Sequence, residues 1–226
     1  AFVNYSRPRS NGIIAINLNE GDEVVEVLLT SGNDEILIAN RNGRAIRFNE
    51  STVRNMGRGA TGVKAMRLDE DEDDQIVGMI ALTKPEGYDE NAEENGIDEE
   101  LYPDMPTILV LSEKGVGKRS TIGEYRITNR NGKGVKTINI TEKTGKLVAI
   151  KKVTEEEDIM IINKSGVTIR LAVKDIKKSS RNTQGVKLID IQKRNDVISS
   201  VCVVEHAEGN SDEESFEAPE INNNQE

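Results

Sequence analysis

Short apolar runs of Ile, Val and Leu recur along this chain, each bounded by Gly, Asn, Asp or Ser. Their brevity and β-branched content predict strands. The runs fall at residues 11–18, 23–30, 35–41 and 45–49; at 62–68, 75–83, 107–113 and 116–121; at 134–140, 146–153, 158–164 and 167–172; and at 185–191 and 197–204. Asn42-Gly43, Lys114-Gly115 and Ser165-Gly166 lie between paired runs and supply hairpin turns. A helical solenoid would need apolar positions at a period of about 3.6 residues, which runs so often broken by turns do not offer.

The strands belong to a repeat. Residues 54–68 (RNMGRGATGVKAMRL) return as residues 126–140 and 177–191, and more weakly as residues 7–18. Gly12, Gly62, Gly134 and Gly185 anchor the copies at spacings of 50, 72 and 51 residues. The long interval carries an acidic insert at residues 84–106, and Gly43, Gly115 and Gly166 each precede an anchor by 19 residues. Four short strands in about 50 residues is the size of a propeller blade. The expected fold is therefore all-β: a propeller-like array of four-stranded antiparallel blades, about four of them, in an open arc over residues 1–205. The anchor glycines are expected to permit a backbone geometry or close approach that a Cβ would block.

Charge runs in phase with the repeat. Eight residues before the strong anchors stand Arg54, Arg126 and Lys177; four before, Arg58, Arg130 and Arg181; two after, Lys64, Lys136 and Lys187. Four residues after the hairpin glycines stand Arg47, Arg119 and Arg170. Lys118 and Lys178 lie beside members of these sets, Lys133 precedes the anchor Gly134, and Arg7 and Arg9 occupy the same loop of the weak copy. The net charge of −10 hides this pattern. Residues 69–74, 86–104 and 205–226 hold 23 of the 40 acids and no Lys or Arg, leaving 17 acids against 30 basic residues in the body. A polyanion is thus an admissible partner. Lys and Arg on strand edges also prevent edge-to-edge aggregation, a structural reading that competes at each single residue.

Other chemistry is thin. Cys202 is the single cysteine, so no disulfide framework exists, and it is expected to be a buried small hydrophobe in a reducing compartment. Gly115-Val-Gly-Lys118 lacks P-loop spacing. The acids at 69–74 lack the loop glycine and terminal Glu of an EF-hand, so no metal site is expected. His206, the single histidine, opens an acidic, Asn-rich tail (206–226) expected to be disordered. No catalytic residue is assigned. No stretch of about 18 apolar residues predicts a membrane span. The chain opens without Met and inside a repeat, the pattern of a piece of something longer.

Several strings together resemble the C-terminal β-pinwheel domain of the DNA gyrase A subunit. They are AIRFNESTVRNMG at residues 45–57 with the following Thr-Gly-Val-Lys64, GKRSTIGEY at 117–125, and RNTQGV at 181–186. The resemblance implies a disc of blades whose basic perimeter binds and wraps duplex DNA, supporting negative supercoiling by the intact type II topoisomerase. It implies the DNA-contacting set Arg7, Arg9, Arg47, Arg54, Arg58, Lys64, Lys118, Arg119, Arg126, Arg130, Lys133, Lys136, Arg170, Lys177, Lys178, Arg181 and Lys187. The implied partners are DNA, the rest of the gyrase A subunit, plus the gyrase B subunit in an A2B2 complex. The implied location is the bacterial cytoplasm, with this piece itself monomeric. ATP and Mg2+ would act at sites outside this chain, and no cofactor is expected within it. The family's Gln-Arg-Arg-Gly-Gly-Lys-Gly box does not occur, Arg130-Asn-Gly-Lys-Gly134 being the nearest string. The topoisomerase IV counterpart, which lacks that box, is the close alternative. A protein-binding propeller-like module recruiting a basic partner through the acidic segments is the more distant one. Tyr5, Tyr88, Tyr102 and Tyr125 are not assigned to DNA cleavage.

Overall fold

The computed structural model describes residues 2–7, 9–70, 73–83, 105–191 and 196–206. Among these residues eleven strands are β1 (Glu35–Asn40), β2 (Arg44–Asn49), β3 (Ile76–Leu82), β4 (Thr107–Ser112), β5 (Val116–Ser120), β6 (Val135–Lys136), β7 (Leu147–Val153), β8 (Glu157–Asn163), β9 (Thr168–Ala172), β10 (Val186–Lys187) and β11 (Ile198–Glu205). They form three antiparallel sheets of order β3-β1-β2-β6, β10-β5-β4-β7 and β11-β8-β9. The acidic insert from 84 to 104 and the tail from 207 onward lie outside the described residues. Among those described, no helix is long and apolar enough to cross a membrane.

Each hairpin closes through one side chain. Asn40 Oδ1 accepts the Arg44 amide at 2.8 Å, Ser112 Oγ the Val116 amide at 3.3 Å, and Asn163 Oδ1 the Val167 amide at 2.7 Å. Asn and Ser are suited to this because their short side chains bond backbone amides a few residues on.

The continuous apolar run of β4 follows from burial on both faces. Its Ile108 and Val110 join Leu37, Ile80 and Leu82 of the first sheet, while Leu109 and Leu111 join Ile159, Ile161 and Val201 of the third. Full burial of each such side chain contributes about 1.5–3 kcal/mol. The sheets also meet along β3, β7 and β11, which pack on one another. This edge is the hub; β6 and β10 lie on the opposite edges of their sheets.

The Gly-Val-Lys segments do not pair with the strands that surround them in sequence. Val135–Lys136 follows the β4–β5 hairpin yet joins β2 of the hairpin before it, with Lys136 opposite Arg44 and Val135 opposite Ala45. Val186–Lys187 likewise follows β8–β9 and joins β5. Each complete sheet is therefore sewn to the next by an exchanged outer strand, which the spacing of the repeat does not announce. The close approach expected at the anchors is present at both: a Cβ on Gly134 would lie 2.3 Å from the Ala45 carbonyl oxygen, and one on Gly185 would lie 2.7 Å from that of Gly117.

Three expectations are corrected. Residues 11–18 and 23–30 run without a ladder, leaving Ile14, Val27 and Leu29 exposed. The corresponding strands β3, β7 and β11 each add to a hairpin that precedes them, and none precedes residues 23–30 among those described. The predicted strand at 62–68 is reduced to a bridge from Met66 to Gly132. Cys202 is exposed rather than buried. A register shift between Ile198 and Ser200 sets Val201 inward, which turns Cys202 to the open face of edge strand β11.

Candidate nucleic-acid interface

The basic positions separate into three groups with different work. The first consists of arginines four residues after the hairpin glycine, and two of them are covered. Arg47 is 3% exposed, ion-paired with the fully buried Glu35, and donates to the carbonyls of Ile122 at 3.2 Å and Tyr125 at 3.0 Å. Arg119 repeats the arrangement one unit later. Its Nε donates to Ile176 O at 2.7 Å, and Nη1 meets Glu155 at 3.2 Å. Both reach into the 310 turn of the following unit (Ile122–Glu124 or Val173–Asp175) and staple sheet to sheet. Arg170, the third member, stays partly exposed and bonds Asp158 at 2.6 Å and the Glu205 carbonyl at 2.6 Å. The His206 hydrogen bond, with Arg170 behind it, holds the Asp158 carboxyl below its ordinary value.

Lys118 is fully covered too. It stands three residues after its hairpin glycine, where the other hairpins carry Ile46 and Ile169, so its stem fills an apolar slot. The amine donates to Ser180 O at 2.5 Å and Thr183 Oγ1 at 3.2 Å. Burial pushes this amine down to about 8. Since the folded value lies below the unfolded one, holding the charge inside opposes folding fully below about pH 8. That opposition fades as the pH rises towards the unfolded value. Lys118→Ile is therefore expected to be neutral or stabilising at pH 7, with an advantage that shrinks by pH 10 in paired urea melts. An advantage that grows with pH would contradict this account.

The arginines four residues before the anchors form the second group. Arg58 Nη1 donates to Ile14 O at 3.0 Å, Arg130 Nη1 to Lys64 O at 2.9 Å, and Arg181 Nη1 to Lys136 O at 2.8 Å. Ile14, Lys64 and Lys136 each stand two residues after the preceding anchor glycine. Arg130 and Arg181 add Nε bonds to Thr52 O and Glu124 O, at the ends of successive 310 turns. The in-phase arginine thus joins each repeat to the one before, and its period is that of the architecture.

The third group faces solvent. Arg54, Arg126 and Lys177 are exposed and make no side-chain hydrogen bond or ion pair among the described residues; the same holds for Lys64, Arg7 and Arg9. Lys136 and Lys187 are exposed on the outer edge strands, with only long contacts to Asn139 at 3.4 Å and Asp190 at 3.5 Å. Lys133 pairs with Asp69 at 3.0 Å and Lys178 with Glu155 at 3.3 Å, and those contacts lower both acids. The loops carrying Arg126 and Lys177 lie against the β2 and β5 ends, since Ile127 bridges Arg47 and Lys178 bridges Arg119. Sequence reasoning missed Arg67, exposed near Lys133, because the other copies carry Asn139 and Asp190 at its phase. Of the candidate set, the fold covers Arg47, Lys118 and Arg119, whereas the positions eight before and two after the strong anchors stay exposed.

Stacked antiparallel sheets joined by exchanged outer strands make a propeller-like all-β domain, and its likenesses lie among the C-terminal domains of type II topoisomerases. The family model for the DNA gyrase C-terminal domain, beta-propeller, matches residues 4–31, 34–83, 106–154 and 157–204. The chain belongs to that family. It is 44% identical over 216 residues to the DNA gyrase A subunit of Staphylococcus aureus strain MRSA252, covering 95% of this chain and 22% of that protein. Strain NCTC 8325 gives 44% over 214 residues with the same shares, so the chain spans about a fifth of these relatives. Among solved structures, the C-terminal domain of DNA topoisomerase IV superposes with TM-score 0.75 at 26% identity, over 89% of this chain and 56% of that one. The DNA gyrase A C-terminal domain superposes with TM-score 0.69 at 24% identity over 86% of this chain and 58% of that one, a likeness of fold. Among the described residues no group of His, Cys, Asp and Glu could hold a metal ion.

Proposed function

We propose that this chain binds and bends duplex DNA along its outer edge, as part of a gyrase A subunit that takes part in negative supercoiling. The observation that carries this reading is the exposed set Arg54, Arg126, Lys177 and Lys64, Lys136, Lys187, repeated once per unit and left over after structural duties are met. Duplex DNA carries one charge per about 1.7 Å, so a periodic basic edge recruits it without reading bases. A smooth bend of about 40–90° over a 20–30 bp site opposes binding by roughly 1–6 kcal/mol, which favours contacts spread along an arc. The partners are then DNA, the remainder of the gyrase A subunit, plus the gyrase B subunit, in the bacterial cytoplasm, with ATP and Mg2+ acting elsewhere. The 44% identity to gyrase A sequences supports the gyrase reading.

The test is binding to a duplex of about 40 bp across a salt series, with a slope of about −0.9 per neutralised phosphate. Replacing Arg126, Lys136, Lys177 and Lys187 by Ala is expected to flatten the slope by up to about 3.6 and weaken binding at low salt. Lys118→Ile should leave the slope unchanged. Loss of binding with Lys118→Ile but not with the fourfold variant would overturn the assignment. Removing residues 207–226 is expected to strengthen binding if the acidic tail competes for the edge.

A further inference from the structure

An outer strand ordinarily shows solvent a mixed row of N–H donors and C=O acceptors. On β6 the acceptor is covered. The Val135–Ala45 pair and the Thr137 amide on Gly43 O at 2.8 Å fix which groups face β2. Lys136 therefore turns both its N–H and its C=O away from that strand. Lys187 takes the same direction on β5, since the Leu188 amide bonds Gly115 O at 2.8 Å. Arg181 Nη1 donates to the Lys136 carbonyl at 2.8 Å, whereas the outward Lys136 amide has no partner among the described residues.

The arginine is held in place without being used up. Its Nε donates to Glu124 O at 2.9 Å, and Glu124 Oε2 accepts the Arg181 amide at 2.7 Å and Ser180 Oγ at 2.8 Å. Nη2 makes no hydrogen bond among the described residues. Arg130 repeats the arrangement one unit earlier, with Nε on Thr52 O at 3.1 Å and Nη1 on Lys64 O at 2.9 Å. Lys118, bonded to Ser180 O, joins Lys136 and Arg181 in outweighing Glu124 around the joint.

We propose that this joint is a DNA-phosphate subsite built from two successive repeats: the Lys136 N–H and Nζ from one, and Arg181 Nη2 from the next. The subsite presupposes the DNA-binding edge described above and adds to it a main-chain donor and a structural arginine. With its carbonyl covered by Arg181, the edge offers a phosphate donors only, where a bare carbonyl oxygen would repel it. Such main-chain and guanidinium contacts set the path of the duplex and carry no base preference. A phosphate held there also ties β6 to the loop that precedes β10, so bound DNA reinforces the joint between units.

Amide exchange followed by NMR on the whole chain, free and with an excess of a duplex of about 16 bp, tests this. The Lys136 amide is expected to exchange fast in the free chain and about tenfold or more slower on DNA, with its proton resonance displaced downfield. Arg181→Lys keeps the charge and loses the fork. It is expected to bind the duplex about tenfold more weakly at equal salt, to change the salt slope by less than about 0.9, and to lose the protection of the Lys136 amide. Lys136→Met removes Nζ alone, so the slope falls by about 0.9 while the amide at position 136 stays protected on DNA at low salt. Circular dichroism checks that both variants are folded; if Arg181→Lys is not, the wild-type exchange comparison decides alone. Duplex binding that leaves the Lys136 amide fast would overturn the subsite and spare the basic edge. A folded Arg181→Lys variant with wild-type affinity and protection would do the same, whereas a chain that binds no duplex at low salt would overturn both.

Discussion

Replacing Arg47 by alanine is expected to destabilise the domain by about 3–5 kcal/mol, the range for breaking one half of a buried ion pair. Glu35 is fully covered, so its carboxylate cannot turn to water once the guanidinium is gone. The buried Tyr125 carbonyl loses its donor in the same step, at about 1–3 kcal/mol for a group left unsatisfied, whereas Ile122 O keeps the Tyr125 amide. Against a total stability of about 5–15 kcal/mol this is a large fraction, and the two losses are not additive. Urea melts should show it, with a midpoint well below wild type. Arg170→Ala offers the internal comparison. Its side chain is 42% exposed, so the Asp158 pair is screened by water and the expected loss is at most about 1 kcal/mol. Equal losses at the two positions would refute the staple role of Arg47.

Gly134→Ala is expected to destabilise by about 2–5 kcal/mol, whereas Gly62→Ala, at the same place in the repeat, is expected to lose only about 1–2 kcal/mol. Both glycines have φ between 70° and 90°, where an L side chain is strained. That shared strain sets the smaller figure. Gly134 adds steric overlap, because its new Cβ would press into the Ala45 carbonyl and lever β6 off β2. Overpacking of this kind adds about 1–3 kcal/mol. Undocking also uncovers Ile138, which is 1% exposed beneath the joint. Denaturant midpoints at low protein concentration separate the two positions, and equal shifts would mean that the outer strand contributes nothing to stability.

Much of the fold was legible because its signals are local. Asn42-Gly43 and Ser165-Gly166 marked hairpins, and the runs at 107–113 and 158–164 marked central strands, since turn chemistry and β-branched packing act over a few residues. The all-β class and the repeat followed from these. The exchanged outer strands did not, because Val135 and Ala45 are distant in sequence and nothing near either names the other. The candidate site was half legible for the same reason. Phase placed Arg54, Arg58 and Arg47 in one class, yet the first faces solvent, the second bonds backbone carbonyls and the third lies under a neighbouring sheet.

The amino-acid sequence alone determined the hairpin strands, where they turn, and that positive charge recurs once per unit. These properties depend on each residue and its near neighbours. The tertiary structure decided which charges remain available to a polyanion, because burial is a property of what the next sheet covers. Arg119 and Lys118 are as basic in sequence as Lys136, and only packing withdraws them from water.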